Sequence, residues 1–537
     1  VNKLSLVDRA DRVLGRALVL QAEQIPDATY LMAEERRFTF GQVNGLANSF
    51  ANGLRRIGVN PGETVALLMG SSAECVFASL GCSKLGAVWI PTNADYRGVW
   101  LRTSIEDSRA RVLVVDGDLL PRVAELGSGL PFTHVVVNGR PEAQIPGVVM
   151  VDIQEILDGD RSEPPSVARF SDTAAVLWTS GTTGRPKGVM QSHNAWISGT
   201  ENAIRNFGIR EGDVLYCCLP MYNSAAWISN VYPALLAGIP FGLDSKFSPK
   251  AYWDRTRYYG ATHSFTLGAM SIILWQTPPQ PNDRDNPVRF ATCIPLPEPL
   301  IEPFKQRFGI EAIMQAYGQS EAFTVLFRCD DGVTKFKPNA CGIPAPGFEV
   351  RLLDDDDVEV AAGDVGEICV RSSKPFTLSN GYFENPEATA ASLRNLWYHT
   401  GDLARKDEDG QFFFFDRKKD YLRYKGRSVS SFAIESAVNA HPAVAETAAY
   451  GIPSAELESE SEIKVEVVLQ PGQTVTPDEL ARFVNDTAPY FFVPRYIEFV
   501  KELPHTPTGR IRKFELRERG VTPETWDRVA AGFVVKR

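Results

Sequence analysis

Residues 175–193 read AVLWTSGTTGRPKGVMQSH. An apolar, strand-like run, AVLW, leads into Thr179, Ser180, Gly181, Thr182, Thr183 and Gly184, and then to Lys187. This is the chemistry of a loop that holds phosphate. Glycines let backbone N–H groups approach the phosphate oxygens, hydroxyls add donors, and one lysine supplies charge. It is not a Walker loop, which needs Gly-Lys-Ser/Thr, because Pro186 precedes the lysine and Gly188 follows it. A flexible Ser/Thr/Gly surface loop would rarely follow a buried strand and carry a fixed Pro-Lys-Gly.

Outward from this loop, strand-like and helix-like runs alternate. TVALLM (64–69) precedes an apolar-periodic segment from Ser71 to Leu85, and VLVVD (112–116) and HVVV (134–137) follow. VLYCCL (214–219) and EAIMQAY (311–317) continue the series. The alternation predicts an α/β fold with substantially parallel sheets. From Gly366 to Phe415 the pattern turns strand-rich, and the acidic run Asp354–Asp357 reads as a solvated turn. Beyond DRKKD (416–420) an independent α+β pattern begins. It has an amphipathic helix from Ser431 to Ala440, a strand IKVEVVL (463–469), and a helix opening at Thr476 with Pro477 first and Glu479 completing a capping box. The expected organisation is a large N-terminal domain over 1–416, a hinge at 417–420 and a small mobile domain over 421–537.

The chain has 537 residues, 44% hydrophobic and 23% charged, enough for more than one core. Its net charge of -10 (56 basic against 66 acidic residues), with no basic patch, argues against a nucleic-acid or anionic-membrane partner. No run approaches the ~20 apolar residues of a membrane span, and the first twenty residues lack the pattern of a secretory signal. The eight cysteines are scattered, without CxxC pairs or nearby histidines at metal spacing, and read as reduced buried thiols of a cytoplasmic protein.

TSGTTGRPKG resembles the signature of the ANL superfamily of adenylate-forming enzymes, which includes acyl-CoA synthetases, and further matches follow in that family's order. AYGQSEA (316–322), preceded by Gln315, resembles its Tyr-Gly-x-Ser/Thr-Glu motif. The resemblance implies that Gln315, Ala316, Tyr317, Gly318, Gln319 and Ser320 hold nucleotide. Tyr317 would stack on adenine, Ser320 touch the α-phosphate, and Glu321 bind Mg2+. HTGDLA (399–404) resembles the ribose motif, with Asp402 accepting from both ribose hydroxyls. DRKKD would give Arg417 to the nucleotide and Lys419 to the hinge. YKGRSVSSFAIE (424–435), with Arg423, Lys425 and Gly426 at its start, resembles the segment that approaches the pantetheine thiol. The family's activity is activation of an acid by ATP as its adenylate, followed by transfer to a thiol, usually that of coenzyme A.

Four departures from the family pattern stand out. PTGRIRK (507–513) puts Arg510 where the family has a catalytic lysine, with Lys513 nearby, and a planar guanidinium is not a compact ammonium. PMYNSAAW (220–227) puts Asn223 in place of a histidine. Gly426-Arg427-Ser428 and CIPLPEP (293–299) also differ from the usual runs. The C-terminal pattern resembles carnitine–CoA ligase-type enzymes. The departures keep a second acceptor open, since ATP-dependent diazotases, which adenylate nitrite and deliver it to an aryl amine, resemble this superfamily too. By family position Trp196, Tyr222, Asn223, Trp227, Phe265 and Gly268 would line the acid pocket and suit a small aromatic or partly polar acid; Trp196 and Trp227 are equally compatible with a core role. A rival reading takes Ser320 in GQSEA as a nucleophile, with Asp402 and His441 following in hydrolase order, but Ala322 stands where the elbow needs glycine.

Overall fold

A computed structural model describes residues 3–179, 187–332, 335–420, 422–424, 427–453, 461–506 and 510–536, with backbone alone at 423, 427 and 428. By contacts the chain divides into two compact units. One holds residues up to Thr179 with 187–349 and 371–393, and the other holds Val350–Val370 with 394–536. The division falls earlier than the boundary expected at DRKKD, because the strand-rich stretch travels mostly with the C-terminal residues.

The first unit is built on two sheets. In one, Val149–Asp152, His134–Asn138, Val112–Asp116, Thr64–Leu68, Val88–Pro91 and Thr173–Thr179 lie side by side in parallel, and Lys187–Ser192 closes the edge antiparallel. The near-continuous apolar runs seen in the sequence are strands with both faces covered, as parallel sheets require. The other sheet has nine strands, parallel at its centre from Ala312–Tyr317 to Thr29–Ala33 and antiparallel at both ends. Helices Phe40–Arg56 and Ala73–Leu85 pack between, the first opened by a capping box of Thr39 and Gln42. Every residue of Ala73–Leu85 is buried, which explains a segment apolar nearly all round.

In the second unit Val365–Ser372, Trp397–Lys406 and Phe412–Arg417 form successive antiparallel pairs. Asp354–Asp357 is a turn beside them, although Asp357 is not free in solvent: its carboxylate takes Arg394 at 2.7 Å. Beyond residue 430, Val444–Pro453, Ser461–Leu469, Tyr496–Phe499 and Trp526–Asp527 make a four-stranded sheet. Helices Ser431–Asn439 and Pro477–Thr487 close its core, and Thr476 and Glu479 form the expected capping box. Lys464, fully buried on the central strand, is held by Glu498 at 2.6 Å and by the Gly520 carbonyl at 2.7 Å. All eight cysteines are free thiols. Among the described residues no helix is long and apolar enough to cross a membrane.

Two buried histidines make stability depend on pH. Burial pulls His193, whose Nδ1 accepts from the Leu14 N–H at 3.3 Å, down to about 4, and burial outweighing Asp213 does the same to His263. The unfolded chain protonates these rings near 6.5, so it binds protons that the folded chain refuses. The stability they contribute is complete above pH 6.5 and is lost as pH falls toward 4, about 2 kcal/mol each at pH 5. Thermal melts between pH 7 and 5 should show this loss, and His193→Gln should flatten the slope.

Candidate active site

The strands that flank the candidate phosphate loop are paired at its base. Thr179 and Lys187 are register partners across the antiparallel edge, and the Thr179 hydroxyl donates to the Lys187 carbonyl at 3.2 Å. Ser180, Gly181, Thr182, Thr183 and Gly184 lie outside the described residues. The glycine after the lysine has a packing reason. A Cβ on Gly188 would come within 2.7 Å of Val176 and 3.0 Å of the Trp178 ring.

Ala312–Tyr317 carries the next set of candidates to the C-terminal end of its strand, where ligands gather in α/β sheets. Gln315 turns its Oε1 to accept from the Leu296 N–H at 2.9 Å, ordering the CIPLPEP turn. Ala316 and Tyr317 are half-buried, and Gln319 closes a tight turn through reciprocal backbone bonds with Ala322 at 3.0 and 3.2 Å. Gln191 donates to the Ser320 carbonyl. The Glu321 residue is buried at 8% exposure, and its Oε1 accepts from the Tyr382 hydroxyl at 2.8 Å. The Lys187 ammonium sits 5.0 Å from the centre of the same Tyr382 ring. Tyr382 was not singled out from the sequence, since nothing in the spacing of residues 321 and 382 signals their meeting.

The second unit holds its own set. Asp402 is 5% exposed, lies opposite Arg417 in register and approaches its Nε to 3.7 Å. Below it, Glu367 accepts from the Gly401 N–H at 2.9 Å and from Lys418 at 3.0 Å, while Lys418 also reaches Asp355 at 2.8 Å. Burial alone would raise the Glu367 pKa, but Lys418 and His399 outweigh it and hold the carboxyl below its ordinary range. Glu367, Cys369 and His399 bring metal-competent atoms within 4.8 Å of one another. With Lys418 on Glu367 and the Arg394 guanidinium 3.3 Å from His399 Nδ1, this cluster acts as an ion-paired brace under Gly401. Lys419 is exposed. The backbone at Arg423 lies in the strand Leu422–Tyr424, and Lys425 and Gly426 are outside the described residues.

Arg510 and Lys513 have different surroundings. Arg510 is exposed on a hairpin bridged at His505 and Ile511, its N–H on the Thr506 hydroxyl at 3.0 Å. Lys513, by contrast, turns inward: its Nζ meets Ser431 Oγ and Glu435 Oε1, both at 2.7 Å. Burial pushes the carboxyls of Glu435 and Asp416 up, and Lys513 is the cation that opposes it for both.

The six pocket candidates separate into two groups. Trp196 and Trp227 are fully buried in a stack with Trp89, at centroid distances of 6.2 and 4.6 Å, and the Trp227 N–H donates to the Met221 carbonyl at 2.7 Å. They pack as core aromatics. Phe265 is buried on its strand, whereas Gly268 has a φ of +58° and donates to the Ile294 carbonyl at 2.8 Å. Tyr222 and Asn223 are half-exposed, with Asn223 capping the Ala225 N–H at 3.1 Å and the Tyr222 phenol pushed up to about 12 by burial and by Asp95. His441 accepts from the Ala443 N–H at 3.2 Å and meets Phe483 edge-on, while Asp402 faces Arg417.

The family model of AMP-binding enzymes matches residues 18–383, and that of the AMP-binding enzyme C-terminal domain matches 433–510. A crotonobetaine/carnitine–CoA ligase of Salmonella heidelberg is 30% identical over 488 residues, covering 90% of this chain and 93% of the relative. Among solved structures, the anthranilate CoA ligase AuaEII in complex with anthranoyl-AMP superposes with a TM-score of 0.83 at 25% identity, covering 97% of this chain and 98% of the other. ATP-bound MatB from Rhodopseudomonas palustris superposes at 0.82 and 25% identity, covering 94% and 98%. The chain belongs to the AMP-binding enzyme family, the adenylate-forming fold with a large N-terminal and a smaller C-terminal domain.

The pairing of Lys513 has a direct consequence. Lys513→Ala leaves the buried Asp416 and the half-buried Glu435 carboxyls without the cation that opposes their burial and should destabilise the unit by about 3 kcal/mol. A thermal melt lowered more by Lys513→Ala than by Arg510→Ala is the expected outcome.

Proposed function

We propose that the protein is an ATP-dependent acid–CoA ligase that forms AMP, acting on a small carboxylic acid. The observation that carries this reading is the joint placement of Lys187 and Glu321 on one tyrosine at the base of the phosphate-loop hairpin, within a chain matched by the AMP-binding model. In the first step an oxygen of the acid carboxylate attacks the α-phosphorus of ATP, the bond to the pyrophosphate oxygen breaks, and an acyl-adenylate forms. In the second step the sulfur of coenzyme A attacks the acyl carbon, the thiol proton leaves, and AMP departs with the electron pair.

Residue roles follow the chemistry of each position. Lys187 and the amides of the loop stabilise charge on the phosphoryl oxygens. Asp402 accepts from the ribose hydroxyls, and Arg417 opposes its charge. Arg510, exposed and cationic, bridges the acid and the α-phosphate, while Lys513 is engaged within its own unit. Lys419 is the hinge residue, next to a Lys418 tethered by two carboxylates, with 1–416 and 421–537 on either side. A buried carboxylate that keeps a hydrogen-bond donor fits Mg2+, which takes one or two carboxylates together with substrate phosphates, so Glu321 is the residue that would hold it. When bound, Mg2+ neutralises charge on the phosphates and the leaving group. Tyr222 and Asn223 supply polar groups for a small or aromatic acid. The named relatives are CoA ligases, and nothing in them favours transfer of nitrite or an acyl group to an amine.

The test is a panel of small acids, with nitrite included, incubated with ATP, Mg2+ and either coenzyme A or aryl amines, with products read by mass spectrometry. AMP together with a thioester is the expected result. ADP as the product overturns the adenylation reading, and AMP release with amine consumed and no thioester overturns the acceptor. Arg510→Ala should slow adenylation by on the order of 10²–10³, the usual loss of one transition-state stabiliser. With preformed adenylate its thioester transfer should be unchanged; equal loss in both steps would remove Arg510 from the bridging role.

A further inference from the structure

Residues 371–393 return from the strand-rich stretch to the first unit and run along the outer edge of Lys187–Ser192. The backbone bonds are regular. Asn380 donates to the Met190 carbonyl at 2.8 Å, Met190 to Gly381 at 2.9 Å, and Phe383 to Gly188 at 2.7 Å, with Val189 and Tyr382 bridged between them. On the other side of the strap the Ser379 N–H donates to the Glu321 carbonyl at 2.9 Å. Gly381 has a φ of +101°, a Cβ there would come within 2.6 Å of Thr389, and the Thr389 hydroxyl accepts from the Tyr382 N–H at 2.9 Å. The strap is therefore fixed by backbone on both sides of one residue, Tyr382.

That residue's side chain spans two charges of opposite sign. Its hydroxyl donates to Glu321 Oε1 at 2.8 Å, and its ring lies 5.0 Å from the Lys187 ammonium. A hydrogen bond to a carboxylate restrains its rotation, and a cation over a ring is drawn to its face. We propose that Tyr382 is a positioning residue that orients the Glu321 carboxylate toward the magnesium of bound nucleotide and holds the Lys187 ammonium in register with it. The inference rests on the adenylation reading for its ligand. It goes further in assigning the task of aligning both groups to the strap.

The test uses Tyr382→Phe, which keeps the ring and the packing and deletes only the donor to Glu321. Calorimetric titration of ATP at a series of Mg2+ concentrations reads binding without turnover. The Mg2+ concentration for half-maximal ATP affinity should rise roughly tenfold, in line with the loss of one hydrogen bond to a charged group, while ATP affinity without Mg2+ and the melting temperature stay near wild type. In a Glu321→Gln background the same substitution should add no further loss. Tyr382→Leu, which also removes the ring face, should weaken binding of metal-free ATP. An unchanged Mg2+ dependence in Tyr382→Phe, or an equal additional loss in the Glu321→Gln background, overturns the proposal. Because binding is measured directly, wild-type protein that binds Mg-ATP yet forms no adenylate refutes the proposed function and still tests Tyr382.

Discussion

The seven-stranded sheet runs parallel through six strands and then reverses once, at Lys187–Ser192. A parallel neighbour needs a crossover of a dozen or more residues, whereas an antiparallel one can return directly. The reversal makes Thr179 and Lys187 register partners, so the base of the candidate phosphate loop is set by the sheet itself. It also leaves an outer edge whose N–H and C=O groups need partners, since an open edge is a liability in water. Residues 380–383 supply those partners, and their docking brings Tyr382 to Lys187 and Glu321. Hairpin, strap and buried glutamate thus form one dependent series.

Buried charge in the molecule follows a common rule. Glu367 is answered by Lys418 and a backbone amide, Lys464 by Glu498, and Glu435 by Lys513. A carboxylate taken out of water without a partner is strongly disfavoured, and removing one member of such a pair leaves the other exposed to that penalty. Asp402, 5% exposed, has the Arg417 Nε 3.7 Å from its carboxylate across the paired strands.

Much of this was legible in the chain itself. The apolar runs at 64–69, 112–116 and 134–137 gave their strands because doubly covered strands need no polar face, and the capping box at Thr476 gave its helix start. Local motifs singled out Lys187, Glu321 and Asp402 as candidates because each lies in a short segment whose own composition is unusual. Tyr382 was invisible for the opposite reason, as its role arises from a meeting of strands distant in sequence. Lys513 could not be separated from Arg510 by spacing, because only the fold shows which of the two turns toward Glu435. Trp196 and Trp227 were compatible by position with a pocket wall or a core place, and they are fully buried beside Trp89. The unit boundary was blurred by the same return of chain that carries Tyr382.

That return has a consequence for how the protein is made. The chain leaves the first unit after residue 349, comes back at 371 and leaves again at 393. A ribosome delivers residues in order, and domains synthesised first usually fold first. Here the first unit lacks its edge-covering segment until residue 383 has emerged, by which time residues 350–370 of the second are already present. Until then the strand Lys187–Ser192 stands open to pairing with another nascent chain, the exposure that makes folding intermediates aggregate. The two units are compact as bodies but interleaved as text, so neither can be cut out as a continuous fragment of the gene.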